Sequence, residues 1–150
     1  MFKKILVPLD GSELAERALE PAIRIAEKFG GEVILLRVAV PETMLVGLAC
    51  LTPQPYEVYD ADLWRDQEEA QAYLSGITTR WAAAQVPVRT EVISGTPPEM
   101  IVEAAQEAGA DLVVMSTHGR SGLSRLIYGS VAEAVLRGAR VPVLLIPIKA

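Results

Sequence analysis

The chain has 150 residues, 51% of them hydrophobic and 22% charged, with a net charge of −5 and a pI near 4.9. This size suits a single domain over residues 1–150 that buries roughly two-thirds of its unfolded surface, and the composition excludes a disordered chain. The acidic balance supplies no general field for phosphate backbones, so nucleic acid and anionic membrane surfaces are excluded as expected partners, although clustered backbone N–H groups can still bind a small anion.

The chain opens on Ile5-Leu6-Val7, an apolar run stopped by Pro8 and Asp10. It is too short for a signal peptide, and no stretch approaches the roughly 20 apolar residues that span a bilayer. A first helix follows, with Leu14, Ala18, Ala22, Ile25, Ala26 and Phe29 at helical spacing and Gly30-Gly31 as its stop. Pro21 falls inside that pattern and is expected to kink the helix or remove one of its hydrogen bonds. Val33-Ile34-Leu35-Leu36 is the second strand.

From Pro41 to about Tyr59 runs a long irregular stretch, read as a lid, a binding loop or a mobile surface segment. Cys50 within it is the only cysteine, which leaves no internal disulfide or cysteine-based metal site and suits a reducing, cytoplasmic setting. Ala70, Tyr73, Leu74, Ile77 and Trp81 form the stripe of a second helix. Val88 to Ile93 alternates as a half-exposed edge strand does. Thr96-Pro97-Pro98-Glu99 opens a third helix, with Thr96 as N-cap and Glu99 closing a capping box. Leu112 to Met115 and Val143 to Ile146 are continuous apolar strands, separated by a helix from Ser130 to Arg137. Alternating strands and helices with apolar strand runs predict an α/β fold: an open parallel sheet with helices on both faces.

Such sheets bind ligands beyond the carboxyl ends of their strands, where the strand order reverses. Two strand ends carry unusual residues. The first reads Pro8-Leu9-Asp10-Gly11-Ser12, the fourth Met115-Ser116-Thr117-His118-Gly119-Arg120-Ser121-Gly122, followed by Gly129-Ser130 at a helix start. Glycines, hydroxyls, an arginine and a helix N-terminus are the ingredients of a phosphate cradle. They also admit a purely structural reading, in which Ser130 and Glu133 cap the helix and the glycines shape a loop. Asp10 is open to two readings as well, a ligand contact or an Asx turn before the helix. Ser12 reads as the helix N-cap. His118, the only histidine, has no nucleophile at a recognisable spacing, and Trp64 and Trp81 read as packing residues.

The segment from Ser116 to Ser130 resembles the nucleotide-binding motif of ATP-binding universal stress proteins: glycine, two residues, glycine, nine residues, then glycine and serine or threonine. Gly119, nine further residues and Gly129-Ser130 match, and Ser116 stands where the motif has its first glycine. The opening from Lys3 to Ser12 and the ending from Gly129 to Ile146 are similar to the same family. The resemblance implies five strands in the order 3-2-1-4-5, with the reversal between strands 1 and 4. It implies an adenine nucleotide, ATP or else ADP or AMP, contacted by Pro8, Leu9 and Asp10, with Val38 or Ala39 edging the base and Met115 and Ser116 flanking the ligand. Gly119, Arg120, Gly122, Gly129, Ser130 and Val131 would face the phosphates, which with water would hold any Mg²⁺.

The function expected is a regulatory or signalling module of the stress response. The alternatives are a slow ATPase, for which Asp10 and Arg120 are the only candidates, and a nucleotide-free dimeric scaffold. A response regulator would need an aspartate where the third strand ends in Ile93-Ser94-Gly95, and a flavodoxin a hydroxyl-rich loop in place of Leu9 to Ser12. A homodimer through the strand Val141 to Ile148 is expected, because an apolar edge strand in a monomer is ordinarily covered.

Overall fold

The computed structural model describes residues 1–39, 67–117 and 130–147. The expected loop from Pro41 to Tyr59, with Cys50 and Trp64, lies outside the described residues, as does Ile148.

The sheet has five parallel strands in the order 3-2-1-4-5: β1 (Lys4–Pro8), β2 (Glu32–Ala39), β3 (Val88–Ser94), β4 (Leu112–Thr117) and β5 (Val143–Pro147). Among the described residues five helices connect them: α1 (Glu13–Glu16), α2 (Leu19–Phe29), α3 (Gln67–Arg80), α4 (Pro97–Glu107) and α5 (Ser130–Gly138). A short 3₁₀ turn at Ala82–Ala84 follows α3.

The apolar runs of β1, β2 and β4 are buried on both faces, as continuous hydrophobic strands are in a covered parallel sheet, whereas Val143 to Ile146 departs from that expectation: β5 lies at the sheet edge, Leu144 is exposed and the rest of the run is only partly buried. Ile5, Val7, Val33, Leu35 and Val114 face a core completed by Leu19 and Ile23 of α2 and Leu74 and Ile77 of α3. Leu6, Ile34, Leu36, Val113 and Met115 face the opposite core, completed by Ile101 of α4 and Val135 of α5. The helices therefore lie on both faces, and β3, at the sheet edge, is only partly buried along its length.

The first helical region differs from the expectation. It is two helices, not one kinked helix. Tight turns, Arg17 N–H to Leu14 O and Ala18 N–H to Ala15 O, break the chain before Leu19. Pro21 thereby falls in the first turn of α2, where an N–H has no helical partner to lose. Breaking the helix removes the cost that Pro21 would otherwise impose. Gly30 ends α2 in the left-handed region at φ 62°.

Two capping expectations separate. Ser12 caps α1, its Oγ accepting from Ala15 N–H at 3.1 Å. Thr96 occupies the N-cap of α4 with extended backbone, but its side chain makes no capping bond; its carbonyl accepts from Met100 N–H at 3.0 Å. Pro98, at the second helical position, removes one of the two amide donors that such a cap serves, and the side chain makes no bond to the other.

One polar cluster joins α1 to α3. Tyr73 donates to Glu16 Oε1 at 2.8 Å, and Arg80 Nη2 pairs with Glu16 Oε2 at 2.8 Å. The buried Arg37 guanidinium lies 4.9 Å from the centre of the Tyr73 ring. Burial, then the bond to Glu16 and its charge, hold the Tyr73 pKa well above the usual 10.0, with Arg37 opposing. The fold favours the protonated phenol. That stabilisation is fully present below the unfolded tyrosine value and is lost as pH rises above it, because the unfolded chain ionises first. In an alkaline spectrophotometric titration one of the four tyrosines is expected to ionise late, and Tyr73→Phe should remove that step. Four tyrosines titrating together near the ordinary value would contradict it.

Candidate functional site

The sheet is not uniformly paired. β1 pairs with β2 as far as Pro8–Leu36, and β4 pairs with β5 as far as Thr117–Pro147. Between β1 and β4 the register runs only through Ile5–Leu112 and Leu6–Val113. Beyond those pairs the sheet splits.

Pro8 supplies a reason. The Lys4 carbonyl accepts from Asp111 on the β4 side, whereas Leu9 N–H donates to Leu36 O on the β2 side. Alternation along the strand then turns the backbone of Lys4, Leu6 and Pro8 toward β4. Proline has no N–H to give at that position, so the ladder stops there.

The split opens a cavity of about 280 Å³. The end of β1 contributes Pro8, Leu9 and Asp10, β2 contributes Leu36 and Val38, and β4 contributes Met115 and Ser116. Ala15 of α1, Pro97 and Ile101 of α4, and Ser130, Val131 and Ala132 of α5 complete the wall. Most of this lining is apolar, with Asp10, Ser116 and Ser130 as its polar side chains, the mixture typical of a small-molecule site.

The polar groups are held by local structure. Asp10 Oδ1 accepts from both Ser12 N–H, at 2.8 Å, and Ser12 Oγ, at 2.5 Å. Both readings of Asp10 therefore meet in one residue: it makes the Asx turn and lines the cavity. The turn needs Gly11, whose φ is +88° and whose absent Cβ would lie 3.0 Å from Arg37 Nη1. Ser116 Oγ donates to Ala15 O at 3.4 Å, the one side-chain bond across the crevice among the described residues. Ser130 opens α5, and Glu133 pairs with Arg137 Nη2 at 2.7 Å. The first amides of α5 are thus presented at the cavity wall without intrahelical partners.

Of the residues singled out from the sequence, Pro8, Leu9, Asp10, Val38, Met115, Ser116, Ser130 and Val131 come together around this one cavity. Ala39 ends β2 beside it, buried, with its carbonyl accepting from Gly95 N–H at 3.0 Å, and is not part of the lining. Gly119, Arg120, Gly122 and Gly129 lie outside the described residues, and so does His118. Sequence reasoning missed Ala15, Leu36, Pro97, Ile101 and Ala132. The only signals the sequence carried for them were shared faces, which do not by themselves mark a cavity. Leu36 shares a strand face with Val38, and Pro97 and Ile101 are four apart on one helix face.

An open parallel α/β sheet with helices on both faces and a largely apolar cleft at its strand reversal belongs to the doubly wound class, whose general ligand position is that reversal. Among known proteins the match is specific. The model of the universal stress protein family matches residues 1–147, and the chain belongs to that family. Universal stress protein MJ0531 of Methanocaldococcus jannaschii is 37% identical over 146 residues, covering 97% of this chain and 82% of the relative. The solved structure of MJ0577 superposes with a TM-score of 0.75 at 31% identity, covering 100% of this chain and 99% of that one. A universal stress protein solved in complex with cAMP shares the fold, with a TM-score of 0.67 and 24% identity over 96% of this chain and 95% of that one. Among the described residues, no helix is long and apolar enough to cross a membrane.

Proposed function

We propose that this chain is a nucleotide-binding regulatory module of the stress response, and that ATP is the ligand of the β1–β4 crevice. The observation that carries this reading is the cavity itself. It lies at the strand reversal, with an apolar wall on one side and a helix N-terminus on the other. Leu36, Val38 and Ile101 suit the faces of a purine. Asp10 suits the sugar, since a carboxylate accepts from hydroxyls. The first amides of α5, at Ser130 and Val131, suit phosphate oxygens. Gly119, Arg120, Gly122 and Gly129 complete the phosphate side in this proposal, and Mg²⁺ would be held by phosphate oxygens and water. A family neighbour taken with cAMP puts an adenine nucleotide within the repertoire of the fold.

The proposed module is the whole span 1–150, acting in the cytoplasm as a homodimer through the last strand, Val141 to Ile148. β5 is an edge strand whose Leu144 is exposed, an arrangement that pairing with a second copy would cover.

Titration calorimetry of nucleotide-stripped protein with Mg-ATP, repeated with GTP and AMP, tests the ligand. Micromolar ATP binding with weaker GTP binding is the expected result. No heat and no thermal stabilisation at millimolar ATP would overturn it and leave a dimeric scaffold that works without nucleotide.

A further inference from the structure

Arg37 is the only charged side chain that is buried among the described residues. Taking a guanidinium out of water is costly, and an apolar side chain of similar volume can often take such a place without loss of stability. Direct contact with a ligand does not account for it either. Leu36 and Val38 line the cavity, whereas Arg37 between them does not, since alternation turns it toward the other face of the sheet.

Its neighbours give it a different place. A Cβ on Gly11 would lie 3.0 Å from Arg37 Nη1 and 3.3 Å from both Cζ and Nη2, so the guanidinium packs closely against the Asp10-Gly11-Ser12 turn. On α3, the centre of the Tyr73 ring lies 4.9 Å from Cζ. Tyr73 in turn donates to Glu16 of α1, and Arg80 of α3 holds the other Glu16 oxygen. Burial and Glu16 dominate the raised pKa of Tyr73 and Asp10 adds to it, so Asp10 acts electrostatically on the same cluster. Arg37 thus stands between α3 and the turn that brings Asp10 to the cavity wall. None of Arg37, Tyr73, Glu16 and Arg80 belongs to that wall.

Resting on the nucleotide reading above, we propose that Arg37 is a positioning residue: it fixes the Asp10-Gly11-Ser12 turn against α3 and so couples that helix to the crevice. A planar, permanently charged group suits this task, because it can lie close to a residue without a side chain and meet an aromatic ring through its charge. Gly11, at φ +88°, leaves the turn other conformations to visit, and the packed guanidinium limits them. Coupling of binding equilibria is reciprocal, so a ligand that binds better when α3 is docked also steadies α3.

The test is hydrogen exchange with and without Mg-ATP, together with calorimetry, on wild type, Arg37→Met and Tyr73→Phe. α4 borders the cavity directly through Ile101 and is the reference. In wild type, ATP should slow amide exchange in both α4 and α3. In Arg37→Met, ATP should still slow α4, its effect on α3 should be lost, and affinity should fall by about 5-fold or more, the low end of coupling between sites. Tyr73→Phe keeps the ring beside Arg37 but cuts the bond to Glu16, and should reduce the α3 effect in the same direction. It decides the matter alone if Arg37→Met does not fold. A merely structural Arg37 would lower the melting temperature and leave both the affinity and the α3 effect as in wild type, which overturns the inference. Slowing confined to α4 in wild type overturns it too, and so does an unchanged α3 effect in Tyr73→Phe; in each case the nucleotide reading survives. Absence of binding heat with wild type and ATP overturns the nucleotide reading and this inference with it.

Discussion

A tryptophan in place of Val131 is expected to weaken ATP binding by about 100-fold or more, because an indole filling the cavity leaves no room for the ligand. Val131 is partly buried in the first turn of α5 and lines the cavity. Its side chain packs against the core and also borders the cavity, so a larger side chain has open space on that side. The melting temperature of the unliganded protein should therefore hold or rise. Calorimetry with ATP and a thermal melt of the same sample check both parts. Retained affinity in a folded variant would place the ligand elsewhere on the molecule.

Leu6→Ala is expected to cost about 2–5 kcal/mol, the range for removing a leucine side chain from a close-packed core. Leu6 is fully buried on the central strand, at the last β1–β4 pair and one layer beneath the cavity. Its neighbours, Ile34 of β2 and Val113 and Met115 of β4, flank it from two different strands, so no single element can close the void. The melting temperature should fall by roughly 5–15 °C for a domain of this size. Leu144→Ala, on the exposed edge strand, should cost far less. Chemical denaturation of both variants makes the comparison, and equal losses would contradict the core described here.

The fold was legible because its strands announce themselves. Ile5 to Val7, Val33 to Leu36 and Leu112 to Met115 are apolar without alternation, as strands covered on both faces are, while Val143 to Ile146 has the same pattern on a half-exposed edge strand. Strand order was a different matter. Periodicity carries no information about which strand lies beside which, and the order 3-2-1-4-5 came from resemblance to a family. The break before α2 was hidden, since α1 and α2 continue one apolar stripe and only Pro21 signals the interruption. The missing cap at Thr96 shows that a residue pattern specifies a possible bond only, and Pro98 removes one of the two donors it had.

The candidate site was legible in its polar and glycine-rich parts and not in its apolar ones. Asp10, Ser116 and Ser130 stand out at strand and helix ends. Pro97 and Ile101 do not, because a helix that roofs a cavity reads like any helix packed on a sheet. Leu36 was hidden in the same way, being one more aliphatic residue in a buried strand.

The short β1–β4 ladder has a consequence for how the molecule responds to whatever it binds. It divides the sheet into a three-stranded panel, β3-β2-β1, and a two-stranded panel, β4-β5, joined at one end by a narrow seam. A molecule lodged above the seam touches both panels and does the work of the rungs that Pro8 removes. Its concentration then sets the strength of the join, by about 2.7 kcal/mol at a hundred times the dissociation constant. On the nucleotide reading proposed above, the ligand becomes a removable piece of the sheet, and the protein's resistance to opening becomes a gauge of how much of that ligand surrounds it.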